Sequence, residues 1–383
     1  FRTGKNYLDK IGPFKEIWPE LMDRSKDSFR IDYSYHLAIM TGEQMAEMPW
    51  LLDECGVPTF KYYMFYKTID LAGDKASGGY LLSKDSLDFG FLYRLMSSVA
   101  ELNDGQCGPA SLSIHCENPE IIAETQEEVR SARSGNLTRD YSNMRPPWAE
   151  ELAIREVGLM AKRTGCPINL LHLTSREAVD AAIWERADNP DLDFLLEATL
   201  HHLSMSYATD YGVNGKVNPP IRGPEDVDYL WEAVATGNIE TVCSDHACIM
   251  SQQKQGDLWT ALPGFGGTSL FFPVLLTEGH HKRGLDLARI AELTAYNPAI
   301  RYHLYPRKGD IMIGADADLA IVDIDREKEI TLDLLKSAQD FSPFEGLKLK
   351  GWVETTISRG EVIYRDGRVL GQPGRGEYIK RPV

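Results

Sequence analysis

The residues of this sequence whose types could do chemistry stand at the ends of short apolar runs. Four of them offer a set of metal ligands: Lys61, His115, His172 and Asp245. Imidazole nitrogen and carboxylate oxygen suit zinc, or another borderline ion such as manganese or cobalt. A single histidine in an apolar run is more often a hydrogen-bonded core residue. Two of them at strand ends, with an aspartate at a third, indicate a metal centre instead.

Lys61 lies at the start of the aromatic run "FKYYMFYK" (60–67). Lysine is almost never fully buried unless it is paired or chemically changed, and the ordinary alternative is a stem along the core with the ammonium in water. A protonated lysine would be repelled by metal ions. A neutral lysine that takes up carbon dioxide becomes a carbamate, whose two oxygens can bridge two metals. The hypothesis is that Lys61 is N-carboxylated and bridges a binuclear centre.

Composition narrows the function classes. The 383 residues carry a formal net charge of −16, which argues against nucleic acid and anionic membranes as partners, because both select basic surfaces. No run of about eighteen apolar residues is present to span a bilayer. The six cysteines form no CxxC pair, which indicates reduced thiols in a cytoplasmic protein. The chain has no initiator methionine and no signal peptide, and we expect it to begin inside a longer gene product.

Up to about residue 300, apolar runs alternate with amphipathic helical segments. The runs are 29–40, 59–66, 110–117, 167–174, 194–203 and 240–247, and the helical segments include 86–102, 148–164, 175–188 and 225–236. This alternation predicts βαβ units and a parallel sheet, hence an α/β fold. Polar residues at the carboxyl ends of strands favour a (β/α)8 TIM barrel. The competing Rossmann sheet would need a Gly-rich turn after an early strand, and the sequence has no GxGxxG.

A closed barrel needs eight strands, and only six precede residue 250. The segment 264–276 is expected to supply one more element, and at least one strand is missing at the front. From about residue 307, short alternating strands with Gly and Asp turns predict a small β domain. We therefore expect a barrel over 1–304 that lacks its first strand. Residues 305–383 are expected to form the C-terminal part of a small β-sandwich domain and a tail.

Eight motifs occur in an order that resembles the cyclic amidohydrolases, namely D-hydantoinase, dihydropyrimidinase, allantoinase and dihydroorotase. They are "TFKYYMFYK", "SIHCEN", "LLHLTS", "GKVNPPIR", "SDHAC", "GDLWTALPGFGGTSL", "LTAYNPA" and "KGDIMIGADADLAIVD". The resemblance covers nearly the whole chain. It implies an amidohydrolase-type barrel with a small β-sandwich domain.

The resemblance also implies roles for particular residues. Lys61 corresponds to the carboxylated bridging lysine, and His115 and His172 to the two ligands of the second metal. Asp245 corresponds to the ligand of the first metal that also shuttles the proton. The cofactors implied are two divalent ions, zinc or alternatively manganese or cobalt, bridged by carboxylated Lys61.

Three further positions are implied to contact the substrate. Tyr66 corresponds to the tyrosine that donates a hydrogen bond to the developing oxyanion. Asn218, in "NPPIR", stands where the family holds the ring amide through backbone atoms, and Pro263–Gly264 occupies the other such position.

One part of the family pattern is absent. The first metal should take two histidines from an HxH motif on the first barrel strand, and none of the nine histidines forms one. The adjacent pairs His201–His202 and His280–His281 are wrongly placed. The favoured account is that the chain lacks an N-terminal segment, because the other ligands are intact. The alternative is a natural protein with a degraded first metal site.

The expected activity is hydrolysis of a cyclic amide or imide C–N bond. Two metals would lower the pKa of a bridging water, and the hydroxide would open the ring to an N-carbamoyl or related acid. "MFYK" favours a hydantoinase or dihydropyrimidinase, whereas "NPPIR" and "SDHA" are closer to allantoinase or dihydroorotase. A non-catalytic scaffold related to dihydropyrimidinase is the alternative from another class. The resemblance suggests a homotetramer or dimer that acts on a small molecule.

Residues next to the implied ligands have expected roles of their own. Cys116, Cys243 and Cys248 are expected to be small core residues rather than zinc ligands. Glu117 and Asn118 follow a ligand and are candidates to hold it in place. His201 and His202 are expected either to lie near the site or to have a solvent-facing or structural role.

Overall fold

The computed structural model describes residues 12–64, 87–103 and 110–381. One parallel sheet contains β1 Leu37–Ala38, β2 Thr59–Tyr63, β3 Ser111–His115, β4 Ile168–Leu170, β5 Phe194–Thr199 and β6 Thr241–Cys243. Each strand pairs with the next along the chain, without a reversal of order. Continuous winding is the strand order of a barrel, whereas a doubly wound sheet reverses at a switch point. The predicted barrel-type α/β fold is confirmed, with six of the eight strands of a closed barrel in the described part of the chain.

Helices connect the strands. The α-helices are α1 Phe14–Lys26, α2 Gly42–Ala46, α3 Met48–Asp53, α4 Phe89–Glu101, α5 Pro119–Ser131, α6 Leu137–Met144, α7 Pro147–Thr164, α8 Arg176–Asp188, α9 Pro224–Ala235, α10 Phe271–Val274, α11 Leu287–Ala291, α12 Asn297–Arg301 and α13 Leu332–Leu335. The four helical segments predicted from the sequence correspond to α4, α7, α8 and α9. Ser175 caps α8, because its hydroxyl accepts a hydrogen bond from the Ala178 N–H at 3.2 Å. No helix in the described ranges has both the length and the apolar composition to cross a membrane.

The two faces of the parallel sheet differ in chemistry. Leu112 and Ile114 of β3 are fully buried in the hydrophobic core that the helices share. The alternate residues Ser111, Ser113 and His115 lie on the other face, because side chains alternate along a strand. Lys61 pairs in register with Ser113, so it belongs to this polar face. The fold therefore places Lys61 and His115 on the same side of the sheet.

The segment 264–276 is not a strand, so this prediction was wrong. It runs through a 3-10 turn (Thr268–Leu270) into α10, and a π-helical stretch, Leu275–His281, follows. Leu270, Val274 and Leu275 are buried at helical rather than alternate spacing. The glycines at the start of this segment, Gly264, Gly266 and Gly267, make an extended, regularly paired strand unfavourable.

An antiparallel sheet forms the C-terminal part of the chain. Its strands are β7 Leu319–Glu329, β8 Lys348–Ser358, β9 Glu361–Arg365 and β10 Arg368–Val369, in the order β10-β9-β8-β7. The sheet docks on the π-helical stretch, where the Lys350 N–H donates to the Thr277 hydroxyl at 2.8 Å. The tail returns to the parallel sheet, and Arg381 donates to the Thr59 hydroxyl at 2.8 Å. The predicted short strands of the C-terminal part are present. The domain boundary at 304/305 stays a prediction.

Arg301 gives a test of how the parallel sheet is held. Its buried guanidinium donates to the Asn169 side chain and, at 3.0 Å, to the Ile168 carbonyl of β4. We expect Arg301→Met to lower the free energy of unfolding by about 3 kcal/mol, because buried acceptors lose a charged donor. Exposed Arg24, which pairs only with Glu20, is the control, and Arg24→Met should cost less than about 0.5 kcal/mol. Urea unfolding midpoints measure both, and equal shifts would contradict the assignment.

Candidate metal centre

Lys61 is the most unusual residue on the polar face. Its side chain is buried, with 3% of the residue exposed, and its Nζ lies 4.6 Å from the centre of the Tyr63 ring. Burial disfavours the ammonium form and lowers the pKa of Lys61 to about 8, although Asp245 and Glu197 act in the opposite direction. The predicted burial of this lysine is therefore present. A substantial fraction of neutral amine is available near neutral pH.

His115 and His172 lie side by side. Their ring centres are 4.4 Å apart, and both residues are buried. Burial lowers the pKa of His115 to about 4 and that of His172 well below its usual value, so both imidazoles are neutral and keep a lone pair. The Nδ1 of His172 is buried without a hydrogen-bond partner. An orphaned imidazole nitrogen of this kind has the character of a ligand atom.

Asp245 follows β6 and has a left-handed backbone, with φ 42°. The side chain is open to solvent, yet the surrounding protein raises its pKa, and Lys61 opposes that change. Lys61 also lowers the pKa values of His115 and His172. Lys61 thus interacts electrostatically with both histidines and with Asp245.

The four ligand candidates do not form a closed cluster by themselves. Within the described ranges, one set of three His, Cys, Asp or Glu ligand atoms lies within 4.8 Å of one another, and it is Asp32, Asp316 and Asp318. The Lys308 ammonium is 2.6 Å from Asp32, 2.8 Å from Asp316 and 2.5 Å from Asp318. A lysine already neutralises this acidic set, so it is an ion-pair cluster rather than a second metal site.

Glu117 fixes His115. Its Oε2 lies 2.6 Å from the His115 Nε2, and Arg145 donates to the same carboxylate through Nε at 2.9 Å and Nη2 at 2.6 Å. Burial alone would raise the pKa of Glu117, but Arg145 and the His115 hydrogen bond overcome this effect and lower the pKa to about 2. An ionised carboxylate only accepts, so the His115 Nε2 donates and the lone pair is on Nδ1. Asn118 instead caps α5, where its side chain accepts from the Glu120 N–H.

The two predicted substrate-holding segments lie next to each other. The Gly264 N–H donates to the Lys216 carbonyl at 2.8 Å, and the Ala247 N–H donates to the Phe265 carbonyl at 3.1 Å. Gly264 has φ 111°, and a Cβ there would approach that of Ala247 to 2.8 Å, so only glycine fits. Residues 216–218, 263–265 and 245–247 therefore form one continuous surface.

Asn218 is held by a residue that the sequence did not single out. The Tyr141 hydroxyl donates to the Asn218 side-chain oxygen at 2.5 Å. The next peptide is held as well, because the His202 Nε2 donates to the Pro219 carbonyl at 3.1 Å and its Nδ1 accepts from the Thr199 hydroxyl. His202 therefore has a structural role. Tyr66, the predicted oxyanion donor, lies outside the described residues.

The cysteine predictions had mixed outcomes. Cys116 is a buried core residue, as expected, whereas Cys243 is half-buried and Cys248 is exposed. The expectation was therefore wrong for Cys248. The Cys243 thiol donates to the Glu197 carboxylate at 3.2 Å. Burial raises the pKa of Glu197 to about 7, which places another titratable group beside Lys61 that the sequence did not single out.

Comparisons with known proteins agree with this fold. Residues 174–363 match the model of the amidohydrolase family. The chain is 30% identical over 332 residues to an allantoinase of Bacillus licheniformis, covering 86% of this chain and 69% of that protein. It is 29% identical over 300 residues to an L-hydantoinase of Paenarthrobacter aurescens, covering 78% of this chain and 64% of that protein.

The fold is also that of a solved relative. A crystal structure of dihydropyrimidinase from Brevibacillus agri superposes with a TM-score of 0.84 at 21% identity, covering 97% of this chain and 77% of that one. The parallel sheet with its connecting helices therefore has the fold of that structure. The chain belongs to the amidohydrolase family. It spans between 60% and 64% of the length of several curated relatives that it matches.

Family membership implies the use of a divalent metal ion, and the residues present fit one. His172 offers an orphaned nitrogen, His115 offers Nδ1, and Lys61 offers a neutral amine next to them. Three protein ligands with an open position are typical of a catalytic metal site. Asp245 adds a carboxylate on the solvent side of Lys61.

The burial of Lys61 predicts a pH effect on stability in metal-free protein. The lysine is protonated below pH 10.5 when unfolded but only below about pH 8 when folded. Unfolding therefore takes up a proton between these values, and the free energy of unfolding rises with pH across this window. The rise is about 3 kcal/mol, from about 1.4 kcal/mol per pKa unit.

Urea unfolding between pH 7.5 and pH 10, in carbonate-free buffer with a chelator, measures this effect. Other groups titrate in the same range, so the quantity of interest is the difference between wild type and Lys61→Met. The variant should be more stable than wild type at pH 7.5, and the difference should shrink as the pH rises. A constant difference would show that the Lys61 amine does not titrate in this window.

Proposed function

We propose that this protein hydrolyses the C–N bond of a cyclic amide or imide at a divalent metal centre. The observation that carries the proposal is the buried Lys61, which interacts electrostatically with Asp245 and with the adjacent neutral imidazoles of His115 and His172. We further propose that Lys61 is N-carboxylated and that the centre holds two ions, with zinc favoured and manganese or cobalt as alternatives.

Carboxylation of Lys61 and metal binding support each other. The neutral amine adds to carbon dioxide and releases a proton, which leaves an anionic carbamate on Nζ. In the absence of metal, this anion would lie near the carboxylates of Asp245 and Glu197, which would repel it. Divalent cations reverse that balance. His115, His172 and the carbamate complete one three-ligand site, while Asp245 and the carbamate supply two ligands of a second.

When bound, the ions would supply a water of lowered pKa as the nucleophile. The side chains have separate tasks. The His115 Nδ1 and the His172 Nδ1 hold metal. Asp245 is exposed and its pKa is raised, so its carboxylate is suited to accept a proton and pass it to the leaving ring nitrogen. Tyr66 as the oxyanion donor remains a prediction from the sequence.

The substrate is proposed to be held by the backbone at Asn218 and at Pro263–Gly264. Relatives carry the names hydantoinase, dihydropyrimidinase and allantoinase, and hydantoin, dihydrouracil and allantoin share a ring amide. A dihydroorotase needs in addition a cationic partner for the substrate carboxylate. Arg222, the arginine of "NPPIR", donates instead to Thr174, Ser142 and the Arg145 carbonyl. This engagement favours the hydantoinase, dihydropyrimidinase and allantoinase substrates.

A non-catalytic scaffold is the competing function. A scaffold does not need a lysine and an unpartnered imidazole nitrogen inside a sheet, and both cost free energy when buried. Their retention favours the hydrolase. We also propose that the protein is cytoplasmic and forms a homotetramer or dimer.

Metal content tests the proposal. Inductively coupled plasma mass spectrometry on the full-length gene product should find close to two zinc or manganese ions per chain. Lys61→Ala should lose most of this metal, because both ions lose the bridging ligand. Lys162→Ala is the matched control, since Lys162 is exposed and pairs with Asp188. It should keep the wild-type metal content.

A screen of hydantoin, dihydrouracil, allantoin and dihydroorotate follows. Activity on at least one, reduced by about a thousandfold or more in Lys61→Ala, is the expected outcome, because the nucleophile is lost. One ion per chain would contradict the binuclear centre alone. A folded wild type without metal would contradict the hydrolase and leave the scaffold.

A further inference from the structure

We propose that Arg145 is a positioning residue that couples the candidate metal centre to the substrate-holding segment 216–222. The coupling chain consists of His115, Glu117, Arg145, Tyr141 and Asn218. It rests on the proposed function, because it assumes that His115 holds metal and that Asn218 holds substrate.

The first half of the coupling chain is a charged clamp. Arg145 makes two parallel hydrogen bonds to Glu117, which in turn accepts from His115. Only 1% of the Glu117 side chain and 10% of the Arg145 side chain are exposed. A planar guanidinium opposite a carboxylate defines both distance and orientation. The position of the His115 ring therefore depends on where Arg145 lies.

The second half starts from the same guanidinium. The Tyr141 hydroxyl is hydrogen-bonded to Arg145 and donates to the Asn218 side chain at 2.5 Å. Tyr141 is buried, and this burial raises its pKa to about 12, so the hydroxyl keeps its proton. It accepts from Arg145 and donates to Asn218 at the same time. Any shift of Arg145 is therefore transmitted to the loop that carries Asn218.

A parallel connection joins the other histidine to the same segment. Arg222 donates to the Arg145 carbonyl and, through Nε at 2.8 Å, to the Thr174 hydroxyl. Thr174 lies two residues after His172 and donates to Glu150. The segment 216–222 is thus connected through Asn218 to the groups that hold His115, and through Arg222 to Thr174, which follows His172. A purely structural role would not need the first route to end at His115.

The expected consequence is coupling between the two sites. If a metal ion at His115 favours one position of Arg145, it also orders the segment that holds the ring. Linkage requires that a bound ring then tightens the metal by the same factor. The coupling is carried by identified hydrogen bonds between buried groups. Removal of the Tyr141 hydroxyl interrupts the route that ends at Asn218 and leaves the contact of Arg222 with the Arg145 carbonyl in place.

Hydrogen–deuterium exchange with mass spectrometry tests the coupling without any hydrolysis. Addition of Zn²⁺ to metal-free wild type should slow exchange in peptides covering 216–222 by about tenfold. In Tyr141→Phe, Zn²⁺ should still bind, but the slowing in these peptides should fall below about twofold. Tyr207→Phe is the matched control, because the Tyr207 N–H donates to the Arg222 carbonyl while its hydroxyl contacts Glu225 instead. It should keep the wild-type response.

A second readout separates the two halves. Glu117→Gln should weaken Zn²⁺ binding by about 10–100-fold in a chelator competition, whereas Tyr141→Phe should raise KM for hydantoin or dihydrouracil with little change in kcat. Equal protection of 216–222 in wild type and Tyr141→Phe would overturn the coupling alone. The same holds for a wild type that binds Zn²⁺ without protecting this segment. A wild type that binds no Zn²⁺ would overturn the proposed function and the coupling with it.

Discussion

The burial of one amine governs the arrangement of this protein. β2 is covered on both faces, so Lys61 cannot extend its ammonium into water, and burial lowers its pKa to about 8. Two neutral imidazoles lie beside it, and the carboxylates of Asp245 and Glu197 partly offset the loss of solvation. None of these groups neutralises it through a close ion pair of the kind that holds Lys308. The Lys61 nitrogen, the two neutral imidazoles and these carboxylates together form a set of groups that is suited to a cation.

The other buried charges near the site are arranged so that they do not compete for that cation. Glu117 is paired with Arg145, and Glu150 lies 3.4 Å from Arg222. An arginine stays protonated under all ordinary conditions, so each of these carboxylates has a permanent partner. A buried pair gives little net stability but is costly to break. Their value here is in geometry, because both arginines lie between the loops that follow the strands and fix the distances among them.

Much of the fold could be predicted from the sequence, because apolar runs and helical periodicity are local signals. All six predicted runs contain a strand, and the four predicted helical segments are helices. The segment 264–276 misled the prediction because an apolar run does not by itself distinguish a buried helix from a strand. Lys61, His115 and His172 were found because their residue types are unusual in such runs. Arg145 and Tyr141 were not, since their partners are 28 and 77 residues away and no local pattern encodes a contact at that distance.

Under the proposed function, the strands carry metal ligands and the loops hold the ring of the substrate. Lys61 and His115 are parts of paired strands, and the register of the pairing fixes their positions relative to each other. Asn218 and Gly264 are on loops, which tolerate change in sequence and length more readily. Under the proposed function, a chain that keeps the strand residues keeps the metal ligands, while the loops determine which cyclic amide is bound. The hydrogen bonds through Arg145 limit that freedom, because a loop that moves away from Tyr141 also disturbs the clamp on His115.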